Sequence, residues 1–223
     1  MNTEKLLLAL KSARESAGKR NFNQTVDMIL TFRDMDLKKP DNQVDFFTQL
    51  HHSTGKTVKV CGLVGPEMKE AAKKELDFVV DVDEFEQYAK DKKKIKKLAD
   101  EYDFFIAQAN LMAKVAQTFG RVFGPKNKMP NPKSGCVVPA NANLSALKKK
   151  LQTTVRVMVK TSLQYQVAIG KEQMDDNVIA DNALALYNQI VHHLPSEANN
   201  INNTFLKLTM GPAIKVGADE AEK

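Results

Sequence analysis

The stretch Thr57–Val82, "TVKVCGLVGPEMKEAAKKELDFVVDV", decides the architecture. "TVKVCGLV" is rich in β-branched residues and reads as a strand. Gly65 and Pro66 open a helix, "EMKEAAKKEL", with proline in the first turn, where its missing N–H costs nothing. "DFVVDV" returns as a strand. The alternation continues: "DEFEQYAKDKKKIKKLADEY" is helical, "DFFIAQ" is a strand, and Asn110 caps "LMAKVAQTF", which Gly120 stops. Beyond the loop "GPKNKMPNPKSG" (Gly124–Gly135), "CVVP" and a helix capped by Asn143 close the unit. Strands alternating with helices of this length predict a parallel sheet covered on both faces.

The flanks follow another pattern. Asn2 or Thr3 caps a helix with Leu6, Leu7, Leu10, Ala13 and Ala17 at helical spacing, and Gly18 ends it. After "KRNFNQ", Val26, Met28, Leu30 and Phe32 alternate with Thr25, Asp27 and Thr31, as in a half-buried strand; Ile29 falls on the polar side. A second strand is expected near Val44–Leu50. Past residue 152, "TVRVMVKTSLQYQVAIG" reads as a hairpin turning near Thr161–Ser162. Asp175 or Asp176 caps a helix through Leu194, "NTFLKLTMGPAIKV" supplies two more strands, and the tail "GADEAEK" frays. The N-terminal piece alone has too few elements to bury a sheet face. The simplest solution joins both ends in one α+β split domain, residues 1–54 plus 153–223, with an antiparallel or mixed sheet. Residues 55–152 are then an inserted α/β three-layer domain, reached through a double-stranded hinge near 54–56 and 151–154.

A chain of 223 residues, 43% of them apolar, is expected to bury roughly 70% of its unfolded surface as a globular protein. No run approaches the ~18 apolar residues of a membrane span. "LLLAL" (residues 6–10), followed by Lys11 and Arg14, is too short for an export signal. Cys61 and Cys136 are too few for a disulfide framework or a structural zinc, and read as buried thiols of a reducing cytoplasm. The formal net charge is +6, and residues 55–152 hold 19 basic against 12 acidic side chains. That excess suggests a polyanionic partner, although its densest part, Lys90–Lys97, also suits a solvated helix face.

The familiar chemical motifs fail on spacing. "HSTGKT" (His52–Thr57) imitates a phosphate-binding loop, but Leu50 stands where the first glycine belongs, and the strand and helix are in the wrong order. "GLVGPEM" has Gly62 and Gly65 without the G-x-G-x-x-G spacing, and reads as a tight strand-to-helix turn. His51–His52 and His192–His193 are adjacent pairs, not i, i+4 ligands; the second closes a helix, where imidazole complements the dipole. No nucleophile motif is present. The reading therefore carries no catalytic residue, no metal and no cofactor. Two clusters remain: "KRNFNQTVD", with Phe22 among bases, amides and hydroxyls, and "LTMGP", with Thr209 and Met210 before Gly211. Singly, Phe22 is a core anchor and Met-Gly-Pro a turn.

Together with "GPKNKMPNPKSG" these clusters resemble the family of large-subunit ribosomal protein L one, the side-stalk protein, in its archaeal form. The signature G-P-[RK]-x-x-M-P-x-P-K-x-G is matched at Gly124, Pro125, Lys126, Met129, Pro130, Pro132, Lys133 and Gly135. "F-x-x-[ST]-V", "VAIGK" (Val167–Lys171) and "TMGP" extend the resemblance over almost the whole chain. It implies that the inserted domain is Rossmann-like and that the split domain binds the stalk of large-subunit rRNA. It also implies a role near the exit of deacylated tRNA, repression of the protein's own mRNA, and a monomer when free of the ribosome. Carried over residue by residue, the RNA contacts fall on Phe22, Thr25, Thr209, Met210 and Gly211, with Lys19, Arg20, Asp27, Lys171 and Asn203 nearby. Shape and ribose readout suits RNA, whose base edges lie in a deep groove. The rival class is an enzyme that binds a nucleotide on the insert.

Overall fold

The computed structural model describes residues 1–39 and 42–217. In chain order the elements are α1 (Thr3–Ser16), β1 (Thr25–Phe32), β2 (Val44–Gln49), β3 (Val60–Val64), α2 (Lys69–Glu75), β4 (Phe78–Asp81), α3 (Phe85–Lys90), α4 (Lys92–Glu101) and β5 (Phe104–Gln108). They continue with α5 (Met112–Phe123), β6 (Val137–Val138), α6 (Leu144–Thr153), β7 (Thr154–Val159), β8 (Gln164–Lys171), α7 (Asp176–His193), β9 (Ile201–Leu208) and β10 (Ile214–Lys215). The chain gathers into two compact units: Met1–Lys56 with everything from Thr153 onward, and Thr57–Gln152. The tail from Ala218, expected to fray, lies outside the described residues.

In the first unit β1 lies between β9 and β8 in an antiparallel sheet ordered β10-β9-β1-β8. The alternation of β1 places Val26, Met28, Leu30 and Phe32 in a core with Leu206 and Leu208 of β9. Leu6, Leu10 and Ala13 of α1 and Ile179, Ala183, Leu186 and Ile190 of α7 close that core. Asn2 caps α1 as expected, accepting the Glu4 N–H at 3.5 Å. Asp175 stands at the N-cap of α7 without a side-chain bond, and Asp176 pairs with Arg14 at 2.6 Å.

The expected hairpin at 153–170 is corrected. β7 pairs with β2 in a separate two-stranded sheet, and β8 pairs with β1. Arg156 grips both oxygens of Asp45 at 3.0 and 2.9 Å, fixing β7 to β2. Alternation tells which side of a strand is buried, and nothing about which neighbour supplies the ladder.

In the second unit all strands are parallel, in the order β4-β3-β5-β6. β3 is buried along its whole length, as both-face coverage requires. Cys61, Leu63 and Phe105 pack with Phe85, Ile95, Val115 and Phe119 of α3–α5, while Val60, Val64 and Ile106 pack with Ala72 of α2 and Leu144 of α6.

Three boundaries differ from expectation here. Pro66 opens a turn closed by Met68 N–H to Gly65 C=O (3.2 Å), so α2 starts only at Lys69. The helix expected over 83–102 breaks at Asp91, whose carboxylate accepts the Lys93 and Lys94 N–H groups at 3.0 and 3.3 Å and starts α4 afresh. Asn110 lies in a 3₁₀ turn, and α5 runs through Gly120 to Phe123. Glycine inside a helix costs about 1 kcal/mol. Burying Phe123 against Phe105 and Phe119, with centroids 4.2 and 5.2 Å away, returns roughly 2–3 kcal/mol.

Candidate nucleic-acid interface

The end of the four-stranded sheet where β1 begins is tied together by hydrogen bonds from three chain segments. Thr25 stands opposite Lys171 in the β1–β8 register. The Thr25 N–H donates to the Thr209 hydroxyl at 3.0 Å, and the Thr209 N–H donates to the Thr25 carbonyl at 3.1 Å. The Lys171 ammonium donates to the Thr25 hydroxyl at 2.9 Å, which holds a cation at the strand end. Gly211 N–H returns to Leu208 C=O at 3.0 Å. A side chain at 211 would place its Cβ 3.1 Å from the Ala17 Cβ, tighter than ordinary contact, so the turn or the end of α1 would have to give by a few tenths of an ångström to accept one.

Gln24, which the motif reading passed over, locks this corner. It is fully buried; its Oε1 accepts the Met210 N–H at 3.1 Å, and its carbonyl accepts the Glu172 N–H at 2.8 Å. Its own N–H donates to Glu172 Oε2 at 3.3 Å, and its Nε2 is buried without a protein partner. The signal was parity: Gln24 shares the inward phase of Val26 and Met28.

Phe22 is 52% exposed and Met210 59% exposed, which removes the core-anchor reading of Phe22. Large apolar groups left in water beside a rigid polar corner are the kind of surface that partners cover. Lys19 and Arg20 are exposed in the connection between α1 and β1. Asp27, one outward position along β1, accepts Gln166 Nε2 at 3.1 Å and faces Lys207 in the β1–β9 register. Asn203 is not part of the corner. It pairs with Thr31, whose hydroxyl accepts its N–H at 3.0 Å, about 20 Å along the same outer face.

The loop residues Gly124, Pro125, Met129, Pro130, Pro132 and Lys133 belong to the other unit. Two of the loop's three lysines are engaged there. Lys126 pairs with Asp100, and Lys128 donates to the Ala99 and Tyr102 carbonyls at 2.6 and 2.7 Å, capping the C-terminal end of α4. Lys133 is exposed. Burial pushes the Cys61 and Cys136 thiols up, so neither is a ready thiolate. Among the described residues no group of three metal-binding side chains occurs, and no helix is long and apolar enough to cross a membrane.

The sequence model of the ribosomal protein L1p/L10e family matches residues 10–212. The large ribosomal subunit protein uL1 of Thermococcus kodakarensis is 41% identical over 213 residues, covering 96% of this chain and 97% of that protein. The uL1 protein of Methanocaldococcus jannaschii is 37% identical over 223 residues, the full length of both chains. That of Nanoarchaeum equitans is 41% identical over 211 residues, 93% of this chain and 97% of its own. With the match running from α1 to the turn after Met210, and relatives aligned over nearly all or all of both chains, this chain belongs to the ribosomal protein L1p/L10e family.

Proposed function

We propose that the protein is a structural component of the large ribosomal subunit that binds the side-stalk segment of its rRNA. In this reading residues 1–54 plus 153–223 form a discontinuous RNA-binding domain, and 55–152 form an inserted Rossmann-like domain. The contact surface is the corner of Phe22, Thr25, Lys171, Thr209, Met210 and Gly211, with Lys19, Arg20 and Asp27 around it and Asn203 as an outlying contact. On the ribosome, in the cytoplasm, it helps deacylated tRNA leave the exit site. Off the ribosome it is a monomer that represses translation by binding its own mRNA. The relatives are named as ribosomal proteins, and the reading of the chain as a nucleotide-binding enzyme finds no support in them.

The observation that carries this reading is the pair of half-exposed apolar side chains, Phe22 and Met210, beside hydroxyl and ammonium groups already fixed by hydrogen bonds. A shallow RNA groove offers riboses and 2′-hydroxyls, which flat apolar groups and oriented donors can match without dense charge. Thr209→Ala or Met210→Ala should weaken binding to a side-stalk rRNA fragment by about 1–3 kcal/mol while binding to a scrambled hairpin barely moves. Equal losses on both RNAs would refute it.

A further inference from the structure

We propose that the exposed face of α4 is a second RNA-binding surface, one that contacts the phosphate backbone without reading sequence. It belongs to the Thr57–Gln152 unit, whereas the residues of the corner belong to the other. It rests on the reading above only in taking RNA as the partner.

α4 buries Ile95, Leu98 and Ala99. At about 100° per residue these three occupy one arc of the helix. Lys92, Lys93, Lys94, Lys96 and Lys97 share the remainder, all exposed, and Lys90 at the end of α3 adds a sixth. No side chain of the six is in an ion pair among the described residues. At the far end of α4, Asp100 pairs with Lys126, with Lys96 contributing a weaker coulombic attraction, and Glu101 reaches Lys59 at 3.9 Å.

This arrangement works against the helix. Lys92, Lys93 and Lys94 fill its first turn, where the dipole disfavours cations. Lys92 with Lys96, and Lys93 with Lys97, are like charges at i, i+4. Folding relies on other features: the Asp91 cap, the apolar stripe, and Lys128 on the last carbonyls. A row of repelling ammonium groups that the fold does not use is relieved by an external polyanion. Lysine binds phosphate as a mobile point charge, so such a face adds affinity and salt dependence rather than base discrimination.

The test uses the full chain, a side-stalk rRNA fragment and a random-sequence RNA duplex of equal length, titrated across a salt series. The quadruple variant Lys92→Gln, Lys93→Gln, Lys96→Gln, Lys97→Gln should flatten the slope of log K against log salt by about 1–3 for both RNAs, at roughly 0.7–0.9 per lost phosphate contact. The affinity ratio between the two RNAs should stay unchanged. The matching four-arginine variant should behave as the parent, and the glutamine variant should melt no lower than the parent. An unchanged slope overturns the proposal and leaves the lysines to a partner other than RNA. Equal losses in the arginine and glutamine variants also overturn it, since charge would not be the cause. Thr209→Ala in the same titration separates the two readings: it should change the ratio and not the slope, so failure of one leaves the other standing.

Discussion

Replacing Gln24 by methionine removes one hydrogen bond beneath the candidate interface and leaves every proposed contact side chain in place. The side chain is fully buried and methionine nearly matches its volume, so no cavity opens. The bond lost is Met210 N–H to Oε1, worth about 0.5–1.5 kcal/mol. The same change removes the buried Nε2, which has no protein partner and whose desolvation costs about 1–3 kcal/mol. Global stability in a urea melt should therefore stay within about 1 kcal/mol of the parent, or rise. The Thr209–Gly211 turn, however, loses one of its ties to the segment carrying Phe22 and keeps those between Thr209 and Thr25. If binding needs that turn ordered, the loss of about 0.5–1.5 kcal/mol appears as a roughly 2- to 13-fold weaker affinity for the stalk fragment. Fluorescence anisotropy at fixed salt measures the affinity, and hydrogen exchange at the Met210 amide reports the turn. Affinity within twofold of the parent, with Met210 exchange no faster, would refute the role given to Gln24.

Two further outcomes test the fold. The Arg156 hydrogen bonds hold the Asp45 carboxyl at about 2, with Lys160 adding to the effect and burial opposing it. A depressed carboxylate stabilises above its unfolded pKa of about 3.9 and loses that contribution as pH falls through the folded value. Asp45→Asn should thus cost at most about 2 kcal/mol at pH 7 by urea melts, a gap that closes toward pH 2; a gap constant from pH 6 to pH 2 would contradict the pairing. Gly120 sits inside α5 with open space where a Cβ would stand. Gly120→Ala should therefore raise stability by about 0.5–1 kcal/mol, and a lower melting temperature would mean that α5 does not continue through this residue.

Much of the element list was legible because it rests on local periodicity. The spacing of Leu6, Leu10 and Ala13, the phase of Val26 to Phe32, and the β-branched run ending at Val64 each depend only on neighbouring residues. Boundaries were misread where a side chain's fate is settled elsewhere: Gly120 looked like a stop until Phe123 found Phe105, and Asp91 looked like a mid-helix acid until it turned back on Lys93 and Lys94. At the candidate interface the motif pointed to Thr25, Thr209 and Met210; hydrogen bonds join Thr25 to Thr209, and Met210 is tied to Gln24 beside them. Gln24 was hidden because an amide before a strand resembles any turn residue. Asn203, named with the others, lies a strand's length away because β9 runs antiparallel to β1 and carries it to the far end.

Read alone, then, the residues determined the family resemblance, the alternating strands and helices of 57–152, and the polar clusters at the two chain ends. Only the tertiary structure decided that β7 leaves β8 for β2, that Thr25 and Thr209 meet, and that the loop lysines at 126 and 128 face the end of α4. The reason is one of range. Periodicity and capping act over a few residues, whereas a ladder partner or a buried hydrogen bond is chosen by groups far apart in the chain competing for the same edge or void.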